Sequence, residues 1–274
     1  MSQPAPTPRR MRVRHLQEFA DTGTPITALT CYDALTAELF DAAGIDLLLV
    51  GDSAANVVFG RPTTLSATVA EMTTLGRAVA SAARRALVVV DLPFGSYEVS
   101  EEQATATAIA VMKDTGADAI KLEGGTTRAG AIRRIVDAGV PVIAHVGYTP
   151  QSEHALGGHV IQGRGSAAQR VRADALAVQT AGACAVVLEM VPAQLAADLT
   201  AELTIPTIGI GAGAQTNGQI LVWQDALGLT QRTPRFVRHF ADLRATISQG
   251  VAAYRDAVHA GTFPAASESY TEQS

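Results

Sequence analysis

Aromatic residues are scarce in this chain, 5% of 274 positions, and cysteine is scarcer still, with two. Cys31 and Cys184 lie far apart, which supports neither a disulfide framework nor a cysteine-ligated zinc cluster. Both are expected to pack as small apolar residues, and that suits a reducing cytoplasm. No uninterrupted apolar run approaches the roughly 18 residues a membrane-spanning helix needs. Residues 1–10 carry three prolines and no apolar segment of the kind a signal peptide needs, so they read as a flexible tail. Basic residues pair only at Arg9-Arg10, Arg84-Arg85 and Arg133-Arg134, and the net charge is −5. Neither nucleic acid nor a membrane is an expected partner.

What the chain has in quantity is small aliphatic residues: 47% of it is hydrophobic. Short runs rich in β-branched residues recur, separated by helix-length segments, and such runs read as parallel strands buried on both faces. Strands are expected near 25–30, 45–51, 86–91, 117–122, 141–146, 184–189, 206–210 and 219–223. Helical patterns fill 33–43, 67–84, 99–115, 126–138, 167–181 and 192–202, and one or two amphipathic helices are expected over 235–260. Ala-Gly pairs at Ala43-Gly44, Ala138-Gly139 and Ala181-Gly182 punctuate the repeat. The pattern predicts the α/β class and a single-domain (β/α)8 TIM barrel over 11–264, with a disordered tail over 265–274. Two long glycine-bearing loops, 52–66 and 147–166, follow strands and so belong to the catalytic face.

Several of these runs end in a residue fit for chemistry. Asp52 and Asp91 each close a strand, and two carboxylates with waters and a chelating substrate suit Mg²⁺. Taken singly, each is equally readable as a helix cap or a turn residue. Glu123 on the next strand favours the metal reading. Lys121 and Glu123, two apart on one strand, point the same way, inward in a barrel. There Lys121 can hold a substrate carboxylate or an enolate oxygen, or form a structural ion pair. Glu189 after Ala185-Val186-Val187-Leu188 fits a general base and equally a structural carboxylate. His145 fits a donor to a substrate oxygen or a structural role. Gly209-Ile210-Gly211-Ala212-Gly213-Ala214 matches a relaxed dinucleotide fingerprint, but a turn and a strand follow it where that motif needs a helix.

Together these motifs resemble the ketopantoate hydroxymethyltransferase family. The resemblance rests on Gly51-Asp52-Ser53, Asp91-Leu92-Pro93-Phe94-Gly95-Ser96-Tyr97, Ile120-Lys121-Leu122-Glu123-Gly124-Gly125 and His145-Val146-Gly147-Tyr148-Thr149-Pro150-Gln151-Ser152. Gln162-Gly163-Arg164-Gly165, Leu188-Glu189-Met190-Val191-Pro192 and Ile208-Gly209-Ile210-Gly211-Ala212-Gly213 complete the series in order. It implies a (β/α)8 barrel that moves a one-carbon unit from 5,10-methylenetetrahydrofolate to 3-methyl-2-oxobutanoate, giving 2-dehydropantoate for pantothenate synthesis. It further implies Mg²⁺ at Asp52 and Asp91 with Glu123 beside it, directly or through water. Ser53, Asp91 and Lys121 would hold the 2-oxoacid, His145 would contact it, and Glu189 would accept its proton. The family commonly forms homo-oligomers, often decamers. Asn217 and Gln224 depart from the family pattern, which bears on the folate side. The alternative is a Mg²⁺-dependent 2-oxoacid C–C lyase of the isocitrate lyase or phosphoenolpyruvate mutase type, against which the lack of a loop cysteine counts.

Overall fold

A computed structural model describes residues 9–271. Most of the expected N-terminal tail, residues 1–8, and residues 272–274 of the C-terminal one lie outside the described residues. Residues 265–271 are exposed and include a 3-10 turn at Ala266–Glu268. The chain divides into two compact units, one running to Val222 and one from Trp223 onward.

The first unit is a closed barrel of eight parallel strands in sequence order. They are β1 (Ile26–Thr30), β2 (Leu47–Val50), β3 (Leu87–Asp91), β4 (Ala119–Glu123), β5 (Val142–Gly147), β6 (Ala185–Glu189), β7 (Thr207–Ile210) and β8 (Gly218–Leu221). β8 pairs back onto β1, with Ile26 opposite Gly218. Each expected strand is present, with ends shifted by no more than two residues. Helix α1 (Val13–Thr22) precedes β1, and α2 (Ala34–Ala42), α3 (Val69–Ala82), α4 (Glu101–Thr115), α5 (Ala129–Asp137), α6 (Ala168–Thr180) and α7 (Ala193–Glu202) follow β1 to β6 in turn. Local chemistry marks their ends. Thr68 and Glu71 form a capping box at the start of α3. Ser100 accepts from the Gln103 N–H at the start of α4, whose first turn carries Glu101 and Glu102 beside the positive end of the helix dipole. Gly116, at φ 74°, stops that helix in the left-handed conformation that glycine adopts without penalty.

Strand residues alternate between the barrel interior and the helix layer. The outward set, such as Leu48, Val50, Val88 and Val90, is wholly buried beneath helices. The inward set changes character along each strand. β3 runs Leu87, Val89, Asp91; β4 runs Ala119, Lys121, Glu123; β5 presents Ile143 and then His145; β6 runs Ala185, Val187, Glu189. The lower members belong to one core with Ile26, Leu47, Ile208 and Ile220. Fully burying a Leu, Val or Ile side chain contributes about 1.5–3 kcal/mol, so this apolar floor drives closure and carries the polar layer above it.

Helix α1 is not among the elements expected from the sequence. Its Leu16, and Met11 just before it, join the same core, while the Met11 N–H donates to the Arg85 carbonyl just before β3. These contacts put α1 at the end of the barrel where the strands begin. Val13 and Phe19 pack against that core as well and fall at helical spacing with Leu16, a stripe of under two turns among Arg12, Arg14, His15 and Gln17.

In the second unit, Trp223–Ala226 makes a helical turn and α8 spans Leu243–His259. The helix starts at Leu243, not at residue 235, because the Asp242 side chain caps it by accepting from the Ala245 N–H. None of its residues is buried, and Ile247, Val251 and Tyr254 along one stripe are 49%, 63% and 61% exposed.

Candidate active site

Barrel stagger brings the inward polar residues to the C-terminal ends of neighbouring strands. Asp91 sits opposite Lys121, Glu123 opposite His145, and Gly147 opposite Glu189. Lys121 Nζ donates to Asp91 Oδ1 at 2.7 Å, and Asp91 Oδ2 accepts the Asp52 backbone N–H at 3.1 Å. Asp52, Asp91, Lys121, Glu123 and His145 are all buried. The His145 ring lies between two carboxylates, with Nδ1 3.3 Å from Glu123 Oε1 and Nε2 3.2 Å from Glu189 Oε2. Neither approach has hydrogen-bond geometry, so the clamp is electrostatic. Ser53 is half-buried, its Oγ 2.9 Å from the Tyr32 hydroxyl. All seven residues singled out in the sequence therefore gather at one end of the barrel, where the catalytic sites of this fold are built.

Burial dominates the electrostatics. It pushes the Asp91 carboxyl up, to about 7, against the pull of Lys121 and with a further push from Asp52. Burial alone would lower the Lys121 ammonium, but Asp91, Glu123 and Asp52 more than offset it and its pKa is raised. Glu123 is raised by burial, partly countered by His145. For His145, burial and Lys121 act downward, yet the flanking Glu123 and Glu189 carry it up to about 9. Without a bound ion the imidazolium therefore adds stability in full below the ordinary value of 6.5, and that stability is lost as pH rises through about 9. The melting temperature in EDTA is expected to fall between about pH 7 and pH 10, with a component that His145→Gln lacks.

Three buried carboxylates share this space with one lysine and one imidazole, and Glu123 Oε1 is buried without a hydrogen bond among the described residues. That imbalance, with all-oxygen acidic donors, fits a hard divalent cation. Among the described residues no three His, Cys, Asp or Glu side chains converge as a ready-made cage. The arrangement suits an ion held by two carboxylates and completed by substrate and water, as Mg²⁺ prefers.

Gly147 and Met190 shape the backbone around Glu189. Gly147 has φ 95°, and a Cβ there would fall 2.3 Å from the Glu189 carbonyl oxygen. Gly147→Ala is expected to cost about 1–3 kcal/mol in thermal denaturation, since the residue meets both an unfavourable φ and a backbone clash. Met190, just after Glu189, takes φ 47°, an uncommon value for a non-glycine residue.

Four further residues were not assigned roles from sequence. Tyr32 reaches Ser53, Tyr97 and Gln151 bridge Asp52 and Glu123, and the Tyr148 hydroxyl is buried with no hydrogen-bond partner among the described residues. The available signal was position: each follows a strand, three of them in loops marked by glycine or proline. Other sequence features stay out of the chemistry. Asn217 accepts from the Thr207 N–H and hydroxyl where β7 begins, at the opposite end of the barrel. Gln224 is buried in the helical turn Trp223–Ala226. The glycine run leads from β7 through a turn into β8 with no helix between, which removes the dinucleotide reading. His159 packs on the Tyr148 ring, with centroids 5.0 Å apart. Cys31 is buried, and burial raises both thiols, Cys184 to about 12, so neither is a ready nucleophile.

A closed parallel barrel with carboxylates, a lysine and an imidazole at its strand ends defines a (β/α)8-barrel enzyme. The same fold occurs in phosphonopyruvate hydrolase, with TM-score 0.61 and 15% identity over 96% of this chain and 92% of that one. It occurs also in 2,3-dimethylmalate lyase of the PEP mutase/isocitrate lyase superfamily, with TM-score 0.59 and 17% identity over 95% and 92%. At these identities the likeness is one of fold. The chain belongs to the ketopantoate hydroxymethyltransferase family, whose model matches residues 10–266. It is 61% identical over 263 residues to the 3-methyl-2-oxobutanoate hydroxymethyltransferase of Corynebacterium efficiens, covering 96% of this chain and 98% of that protein. It is 57% identical over 267 residues to the enzyme of that name from Leifsonia xyli subsp. xyli, covering 97% and 96%.

Proposed function

We propose that this enzyme transfers a hydroxymethyl group from 5,10-methylenetetrahydrofolate to 3-methyl-2-oxobutanoate, giving 2-dehydropantoate for pantothenate synthesis. The observation that carries the proposal is Glu189. It is the least buried of the site carboxylates, with 15% of its side chain exposed, and His145 ties it to the Lys121–Asp91–Glu123 set. A base on one side of a pocket and cations on the other is what proton removal next to a ketone requires.

Asp52 and Asp91 are the residues that would hold Mg²⁺, with Glu123 reaching it through water, since both Glu123 oxygens already face His145 and the Gln151 N–H. The ion would polarise the keto oxygen of a 2-oxoacid and acidify the adjoining C–H. Ser53, aligned by Tyr32, binds the substrate carboxylate, and Lys121 neutralises charge that develops on the substrate oxygens. Glu189 takes the C3 proton. His145 holds the Glu189 carboxylate in place. Water releases the one-carbon unit from the folate donor at the formaldehyde level, both C–N bonds breaking and tetrahydrofolate leaving. The C3 carbanion adds to that carbon, and the new alkoxide takes up the proton that Glu189 removed, giving the hydroxymethyl group. The lyase reading shares the fold, but the raised thiols of buried Cys31 and half-buried Cys184, and the whole-length family match, favour the transferase.

The exposed stripe of Ile247, Val251 and Tyr254 on α8 supports assembly as a homo-oligomer, for which the family's decamer is the proposed form. Among the described residues no helix is long and apolar enough to cross a membrane, and both cysteines are free. A cytoplasmic location accords with the free thiols. The deciding experiment is exchange of the C3 proton of 3-methyl-2-oxobutanoate in D₂O without folate, with Mg²⁺ and with EDTA. Exchange only with the ion is the expected result. No exchange in either condition, also with tetrahydrofolate added, would overturn the reading.

A further inference from the structure

Gln151 is the middle residue of the 3-10 turn Pro150–Ser152 that follows β5, and it is buried to 4% exposure. Each of its polar side-chain atoms, and its backbone N–H, is committed to the site. Nε2 donates to Asp52 Oδ2 at 2.9 Å and to the Leu92 carbonyl at 3.0 Å. Oε1 accepts from the Tyr97 hydroxyl at 2.5 Å, and the backbone N–H donates to Glu123 Oε2 at 2.9 Å. One residue of the long loop thus joins the ends of β2, β3 and β4.

The direction of this network is forced. Asp52 Oδ2 and the Leu92 carbonyl are both acceptors, so the atom between them must be a donor. The Tyr97 hydroxyl accepts from the Glu123 N–H at 3.3 Å, which turns its own proton toward Gln151. The chain of donors runs from the Glu123 backbone through Tyr97 and Gln151 and ends on one oxygen of Asp52. Among the described residues no donor reaches the other oxygen, Oδ1. A primary amide is the one side chain of this length that donates on one side and accepts on the other; Glu in its place would set an acceptor against two acceptors.

We propose that Gln151 is a positioning residue for cation binding: its amide, aligned by Tyr97, holds Oδ2 of Asp52 and leaves Oδ1 to the ion. This rests on the reading of Asp52 and Asp91 as the cation ligands. Residues that orient a metal ligand typically change affinity by about ten- to a hundredfold when removed.

The test uses full-length, metal-free enzyme and Mn²⁺ as the probe, with free Mn²⁺ counted by electron paramagnetic resonance. Gln151→Met keeps the length and removes both polar atoms; it is expected to weaken Mn²⁺ binding about tenfold or more. Tyr97→Phe is expected to weaken it less, and the double variant to bind no worse than Gln151→Met alone, because both act through one amide. Wild-type affinity in a folded Gln151→Met, or losses that add in the double variant, would overturn the proposal. Should Gln151→Met not fold, Tyr97→Phe decides: weakened binding supports the proposal and unchanged binding overturns it. Mn²⁺ that fails to bind the wild-type enzyme overturns the cation reading itself, and the proposal with it.

Discussion

Glu189→Gln is expected to lower kcat about a thousandfold, within the range that a positioned general base contributes, while leaving the KM for the 2-oxoacid little changed. The amide keeps the size and planarity of the carboxylate, so the pocket retains its shape and loses only a proton acceptor. The same variant should show no Mg²⁺-dependent exchange of the C3 proton in D₂O, which proton NMR reads directly. Because Glu189 lies 3.2 Å from His145 Nε2, the substitution also removes one of the two anions that raise the imidazole. The high-pH loss of stability expected for the wild-type protein should then move to lower pH. Exchange at the wild-type rate would take the role of base away from Glu189.

Lys121→Met is expected to be the most destabilising single change in the site. The Lys121–Asp91 pair is almost wholly buried, with side-chain exposures of 6% and 1%. Burial already raises Asp91 to about 7 beside Asp52 and Glu123. Above that pH, removing the cation breaks a charged pair at a cost of about 3–5 kcal/mol, and below it Asp91 takes up a proton and the loss shrinks. Methionine fits the aliphatic path of the lysine stem past Leu49, Val89 and Ile143, so the loss reports charge and not packing. Denaturant unfolding measures it. Asp91→Asn in the same chain should restore much of the loss, since the uncompensated charge is then gone. Saturating Mg²⁺ should restore part of it in the single variant, because a second cation enters the same acidic set. Lys121→Met that unfolds at the wild-type midpoint would mean that Asp91 is neutral in the native protein.

The apolar strand runs, the Ala-Gly punctuation and the caps at Thr68 and Ser100 are local, and the sequence by itself determined from them the barrel and the order of its elements. It determined also which strand ends carry Asp52, Asp91, Lys121, Glu123, His145 and Glu189. A strand's side-chain period is two, so Lys121 and Glu123 must share a face wherever the strand lies. Which groups touch depends on the stagger between strands and on how loops return across the barrel mouth. Those distances span large gaps in sequence: Gln151 reaches Asp52 from 99 positions away, and Tyr32 reaches Ser53 from 21. Composition carries no record of such closures, because their geometry is set by eight strands packing at once. Helix α1 was hidden for a related reason, its short stripe of Val13, Leu16 and Phe19 gaining meaning only against the barrel floor it covers. The same holds for α8. Its apolar periodicity is plain in the sequence, but only the tertiary structure decided that none of its residues is buried within one chain, since burial belongs to the packed whole and not to the helix.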